Sequence, residues 1–133
     1  MKKGYFDNIE KLSIENVNFR KVLYTGAHIQ LVLMSLKPQE DIGLETHEEN
    51  DQFFRFEKGE GKVIVGETEY TVADGDTVIV PAGTLHNVIN ISDSEDLKMY
   101  TIYTPAHHKD GIVRATKKDA MENEEDFDGI LSE

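Results

Sequence analysis

Gly75-Asp-Thr-Val-Ile-Val-Pro-Ala-Gly-Thr-Leu-His-Asn-Val-Ile-Asn90 is the stretch on which the fold turns. Asp74-Gly75 reverses the chain into a short β-rich run at 77–80. Pro81-Ala-Gly83 then forces a tight turn, because proline fixes its own φ and glycine reaches backbone conformations closed to other residues. His86 opens the next run, 85–91, again rich in β-branched residues. Side chains alternate faces along a strand, so Val88 and Asn90 share the face of His86.

Working outward, the partner stretch is Gly43-Leu-Glu-Thr-His-Glu-Glu-Asn-Asp-Gln-Phe-Phe-Arg-Phe-Glu-Lys-Gly59. The pattern predicts a strand over 42–47 with Glu45 and His47 on one face. The polar turn Glu48-Glu-Asn-Asp51 follows, and a strand over 51–57 returns Gln52 beside them. Phe54 and Phe56 share the parity of Gln52 and fill the interior behind it. Two imidazoles (His47, His86), one carboxylate (Glu45) and one amide oxygen (Gln52) then converge. That donor set suits one divalent transition metal: Mn, Fe, Ni, Co or Zn. Gln52 brings no charge, so the loaded site keeps about +1 and has room for an anionic ligand.

The remaining chain reads as more of the same architecture. Strands are expected at 19–25, 28–36, 61–66, 68–72 and 97–104, punctuated by Gly59, Gly61, Gly66 and Pro105. Many short strands with glycine and proline turns indicate an all-β sandwich or barrel. The apolar strand at 28–36 is buried on both faces or lies in an interface. Of its residues, Val32, Met34 and Leu36, or else Leu31 and Leu33, face outward as one set with Phe53 and Arg55, and covering that set predicts a homodimer. No helical periodicity is visible before residue 115, and residues 1–12 read as a polar lead-in with one helical turn. Thr116, with Asp119 three residues on, predicts a short capped helix in the tail. Ile112, Val113, Met121, Phe127, Ile130 and Leu131 are expected to dock that tail over the barrel wall or mouth. Docked so, it carries His107 or His108 toward the metal site. The organisation is one domain over 1–133, with its core at about 28–104 and a C-terminal extension at 105–133.

Composition narrows the function. Lys+Arg 14 against Asp+Glu 26 gives a net charge of −12, which argues against nucleic acid and anionic membrane surfaces as partners. The absence of cysteine removes disulfides and thiolate ligands. No apolar run approaches the roughly 20 residues of a membrane span, and the opening residues lack the pattern of a secretory signal. A cytoplasmic protein is the expectation.

At these residues the chain resembles the cupin superfamily. Gly75, Pro81, Gly83, His86 and Asn90 match the second cupin motif without a gap. In the first motif Glu45 stands where a histidine is usual, His47 matches, Gln52 replaces a glutamate, and Gly59 closes. The resemblance covers about residues 28–104. It is nearest to small single-domain cupins with this Glu-x-His…Gln variant, some labelled mannose-6-phosphate isomerase-like. It implies a double-stranded β-helix, or jelly-roll, barrel with a short C-terminal helical tail, and a metal held at the motif positions.

The expectation for function is a metalloenzyme acting on a small, anionic organic molecule by isomerase- or dioxygenase-like chemistry. The alternative is a non-catalytic module that binds a small ligand or a metal. Glu45, His47, Gln52 and His86 are the expected metal ligands. His107 and His108 are candidate acid–base groups, a solvated loop being the other reading of that pair, and Gln30, Phe54 and Tyr103 are candidate substrate-pocket residues. His28 reads as an exposed loop-edge histidine.

Overall fold

The computed structural model describes residues 1–133. In chain order it contains α1 (Ile9–Glu15), β1 (Arg20–Thr25), β2 (Gln30–Leu36), β3 (Asp51–Lys58), β4 (Gly61–Val65), β5 (Thr68–Val72), β6 (Thr77–Val80), β7 (His86–Asn90), β8 (Leu97–Thr104), β9 (Val113–Arg114) and α2 (Lys117–Glu122). Two antiparallel sheets face each other as a jelly roll: a six-stranded sheet in the order β6-β3-β8-β2-β1-β9 and a three-stranded sheet in the order β5-β4-β7. No helix is long and apolar enough to cross a membrane.

Strand alternation fills the interior. Val32, Met34 and Leu36 of β2 meet Phe54 and Phe56 of β3 and Leu97 and Met99 of β8 in one core cluster, which Val63, Val78, Val80 and Val88 extend. Phe54 and Phe56 stack with ring centroids 6.3 Å apart. Burying a side chain of this size completely contributes about 1.5–3 kcal/mol. Of the two outward sets that the sequence allowed, the structure selects Leu31 and Leu33; Val32, Met34 and Leu36 point into the core.

The segment expected as a strand over 42–47 is not a regular strand. It runs antiparallel beside β7 and touches it through isolated bridges, Asp41 to Ile89 and Glu45 to His86. Gly43 lies between them at φ +92° and breaks the pleat. The face-sharing of Glu45 and His47 survives nonetheless.

The N-terminal segment is more ordered than its polarity suggests. Asn8 caps α1, its side chain accepting from the Lys11 amide at 2.9 Å. This helix packs on the outer face of the large sheet against β2, β3 and β8. Lys98, 7 % exposed, donates through Nζ to the Asn16 carbonyl and to Ser35 Oγ (3.0 Å), which ties the helix end to that face. Leu33 is buried on this outer face. With only two turns, α1 is too short for its apolar positions Ile9 and Leu12 to declare a period.

The C-terminal segment docks, with anchors that differ from those expected. β9 pairs with β1, and the Val22 and Phe19 amides donate to the carbonyls of Ile112 (3.0 Å) and Ala115 (3.2 Å). Ile112 and Ala120 are buried, whereas Val113, Met121 and Ile130 remain exposed and Phe127 and Leu131 are half-buried. Thr116 caps α2 as its spacing predicts, accepting from the Asp119 amide at 3.0 Å. Asp41 accepts from Asn87 Nδ2 at 2.9 Å and from Lys117 Nζ, so one carboxylate links β7, the irregular segment and α2.

Two outcomes follow for stability. Gly59 sits at φ +105°, and a Cβ there would lie 2.6 Å from the Asp96 carbonyl oxygen. Gly59→Ala is expected to cost at least about 1–2 kcal/mol from the left-handed backbone alone, with the clash in addition, read as a lower midpoint in chemical denaturation. The Asp41 carboxyl is held below its ordinary value by the hydrogen bonds from Asn87 and Lys117. Its contribution is therefore complete above the ordinary carboxylate pKa and is lost as pH falls through the lower folded-state value. Asp41→Asn should lower the melting temperature at pH 6, and the difference from wild type should shrink below about pH 4; a difference that does not change with pH would refute this.

Candidate metal centre

One end of the barrel is polar because of register. Across the large sheet, Gln30 of β2 pairs with Tyr103 of β8, Tyr103 with Gln52 of β3, and Gln52 with Val80 of β6. Directly opposed residues share a face, so this row turns Gln30, Tyr103 and Gln52 inward together. Thr101, one row deeper, accepts from Gln52 Nε2 at 3.0 Å and thereby sets which way the amide points. The Gln52 carbonyl oxygen is buried and has no hydrogen-bond partner.

The small sheet faces this row with His86. Its backbone exchanges two hydrogen bonds with Glu45, each 2.9 Å, which brings the two side chains alongside. His86 Nδ1 lies 2.9 Å from the Thr84 carbonyl. That contact makes Nδ1 the protonated nitrogen and leaves Nε2 an acceptor; Nε2 is buried without a partner. His47 Nε2 is 3.1 Å from Glu45 Oε2. One donor atom from each of Glu45, His47 and His86 lies within 4.8 Å of the other two. Ligands about 2.0–2.2 Å from a first-row metal lie no more than about 4.4 Å apart, so this group could close on an ion with a small contraction. The His47 side chain is 8 % exposed and that of Glu45 30 %.

Burial and charge set the protonation states. Burial pushes the Glu45 carboxyl up, but the hydrogen bond from His47 and the charges of His47, Arg20 and His86 outweigh it and hold the group below its ordinary value. Burial pushes His86 down, and His47 adds to the shift. His107 is lowered by burial and by His47. His108 is lowered strongly by burial and by Arg20. Burial, with the Glu45 charge nearby, raises Tyr103. His86, His107 and His108 are therefore neutral at neutral pH beside the Glu45 carboxylate and the neutral Tyr103 phenol, and a neutral imidazole and an ionised carboxylate are the forms that bind a metal.

A cleft of about 280 Å³ opens on the cluster, lined by Arg20, Glu45, Thr46, His47, His107, His108 and the acidic run Glu124 to Asp126, with no apolar side chain. His107 reaches this mouth, its ring 4.3 Å from that of His47. His108 is buried and lies 3.2 Å from the Tyr103 hydroxyl. The pair is thus no solvated loop. Backbone bonds from Lys109 to Glu125 (3.1 Å) and from Phe127 to His107 (3.0 Å) lay the acidic run over it.

None of the three residues expected in a substrate pocket lines this cleft. Gln30 is fully buried and its amide is committed: Oε1 accepts from the His107 and His108 amides (3.1 and 3.0 Å), and Nε2 donates to Thr25 Oγ1 and the His108 carbonyl (2.9 and 2.7 Å). It fixes the histidine pair instead of facing the cleft. Phe54 is core, 6.5 Å from the His86 ring. Tyr103 stands behind the histidines, its ring 5.6 Å from that of His47. Asn90 of the second motif serves the backbone, with Nδ2 against the carbonyls of Leu36, Lys37 and Glu95. His28 is exposed. Arg20 and the acidic run escaped the sequence reading; the parity of Arg20 becomes informative only once the register of β1 on β2 is known.

Comparison with known proteins agrees with this architecture. The Cupin domain family model matches residues 32–103. The uncharacterised protein YrkC of Bacillus subtilis is 44 % identical over 129 residues, 92 % of this chain and 69 % of that protein. The uncharacterised protein L612 of Acanthamoeba polyphaga mimivirus is 44 % identical over 112 residues, 82 % of this chain and 70 % of that protein. The crystal structure of BH2720 from Bacillus halodurans is 42 % identical, with a TM-score of 0.88 over 91 % of this chain and 96 % of that one. On the strength of the family match and of the barrel that carries both motifs, this chain belongs to the cupin family.

Proposed function

We propose that the protein is a metal-dependent enzyme, built as one domain, acting on a small polar molecule, with one divalent transition metal held by Glu45, His47, Gln52 and His86. The observation that carries this reading is the meeting of Glu45, His47 and His86, with His86 Nε2 a buried acceptor without a partner; Gln52 Oε1, on the inward face of the opposite sheet, is a second such acceptor. Leaving such atoms without partners costs about 1–3 kcal/mol each, and a shared cation satisfies both. A metal bound there supplies Lewis-acid polarisation of a substrate oxygen, or O₂ chemistry if it is redox-active.

The chain's own groups do the rest. Thr101 holds the Gln52 amide so that its oxygen is presented. Gln30 grips the backbone of His107 and His108. His107, neutral and at the mouth, can take a proton from the substrate or return one. The neutral Tyr103 hydroxyl shares a hydrogen bond with His108 Nε2 and orients it. The small polar cleft admits a compact, hydrophilic ligand.

The outer face of the large sheet supports a homodimer. α1 covers part of it, but Ile79 is exposed and Leu31, Phe53 and Ile102 are only half-buried. A twofold partner would cover that strip. Light scattering at micromolar concentration should give twice the chain mass; a monomer mass would overturn this.

For the metal, elemental analysis of untagged protein should find about one transition-metal ion per chain. His86→Ala should abolish retention. Gln52→Ala should weaken it less, since a neutral ligand is lost. Full metal content in His86→Ala would refute the site.

A further inference from the structure

Arg20 stands in the cleft with no hydrogen-bond or ion-pair partner; its guanidinium carbon lies 5.4 Å from the centroid of the Phe19 ring, a contact that leaves its N–H donors unused. It lies opposite Met34 in the β1–β2 register and so shares the inward face of the core residues Met34 and Val22. Its Nε is buried and has no hydrogen-bond partner. It takes no part in any ion pair of the chain. The nearby acids are used or remote: Glu45 faces His47 at 3.1 Å, Glu125 is held by Arg114 at 3.0 Å, and Glu124 and Asp126 are exposed at the rim. Rim charges in water are screened over about 8 Å at physiological salt, whereas a buried guanidinium N–H is not. A buried donor without an acceptor is costly, and the guanidinium fork matches the geometry of a carboxylate.

We infer that Arg20 anchors the carboxylate of the substrate, and that the substrate is a small 2-hydroxy or 2-oxo acid whose oxygens also reach the site of Glu45, His47 and His86. The carboxylate satisfies Arg20 and offsets the positive charge of a loaded metal site. The neighbouring hydroxyl or carbonyl oxygen lies toward the metal ligands and within reach of His107. A cleft of about 280 Å³ without apolar lining lies just below the usual range of ligand sites, about 300–1,000 Å³, and so fits an acid of few carbons. This inference rests on the metal reading above, and its test is separable from it.

Zinc-loaded wild-type, Arg20→Gln and Arg20→Lys proteins are titrated calorimetrically with lactate and with its neutral counterpart lactamide, with zinc content measured for each. Wild type should prefer lactate about ten- to a hundredfold, the scale of a hydrogen bond to a charged group. Arg20→Gln should hold the same zinc and lose the preference, and Arg20→Lys should retain part of it. The Arg20 Nε–H resonance of wild type should shift with lactate and not with lactamide, a readout that needs no variant to fold. A wild type without preference, an unmoved resonance, or Arg20→Gln with full zinc and undiminished preference would overturn the inference and leave the metal site standing. A chain that takes up no zinc sinks the metal reading by itself. The same titration of metal-free protein then decides Arg20: a lactate preference that Arg20→Gln abolishes upholds the anchor, and no preference removes it.

Discussion

The doubly hydrogen-bonded bridge between Glu45 and His86 is the contact on which the site depends. It places a carboxylate and an imidazole from distant parts of the sequence side by side, at one of the points where the irregular 40–47 segment locks onto β7. Everything deeper is ordinary barrel packing, driven by burial of alternating apolar side chains. Everything shallower is polar. The bridge thus marks the level at which a hydrophobic core gives way to a cleft, and the row Gln30, Tyr103, Gln52 marks the same level on the opposite sheet.

That polar layer is sustained by commitments on its far side. Thr101 occupies the Gln52 amide nitrogen, and Gln30 occupies the backbone of His107 and His108. A buried amide left free to rotate would present either end to the cleft, and each misdirected group would carry a desolvation cost. Fixing the amides from behind leaves His86 Nε2 and Gln52 Oε1 as buried acceptors without partners in the layer, which is the chemical character expected of a cation site.

Much of this was legible in the sequence, for identifiable reasons. The Pro81–Gly83 turn and the spacing to His86 are local, and local constraints survive folding; β6 is observed over the run expected for it. The alternation of Glu45 and His47 predicted their meeting even though Gly43 denies them a regular strand. Functions that depend on register between distant strands were not legible. Gln30 looked like a pocket residue, because nothing in its neighbourhood reveals that residues 107–108 will claim its amide. Arg20 looked like one charge in an ordinary strand until its pairing with Met34 gave it a direction. α1 was foreseen only as one helical turn within residues 1–12, because two turns cannot show a period, and its docking rests on Lys98, far along the chain.

The cleft wall also has an order of assembly. Glu45, His47 and His86 belong to one continuous stretch of the chain and can meet once the 40–47 segment lies against β7. The wall, by contrast, joins Arg20 on β1 to Glu124–Asp126 beyond α2, nearly the full span of the sequence. Contacts between such distant segments form late, because the loop-closure entropy must be met before they contribute. A chain emerging from the ribosome would therefore bring Glu45, His47 and His86 together while the cleft above them is still open. The residues that could hold an ion are thus in place before those that narrow the way in.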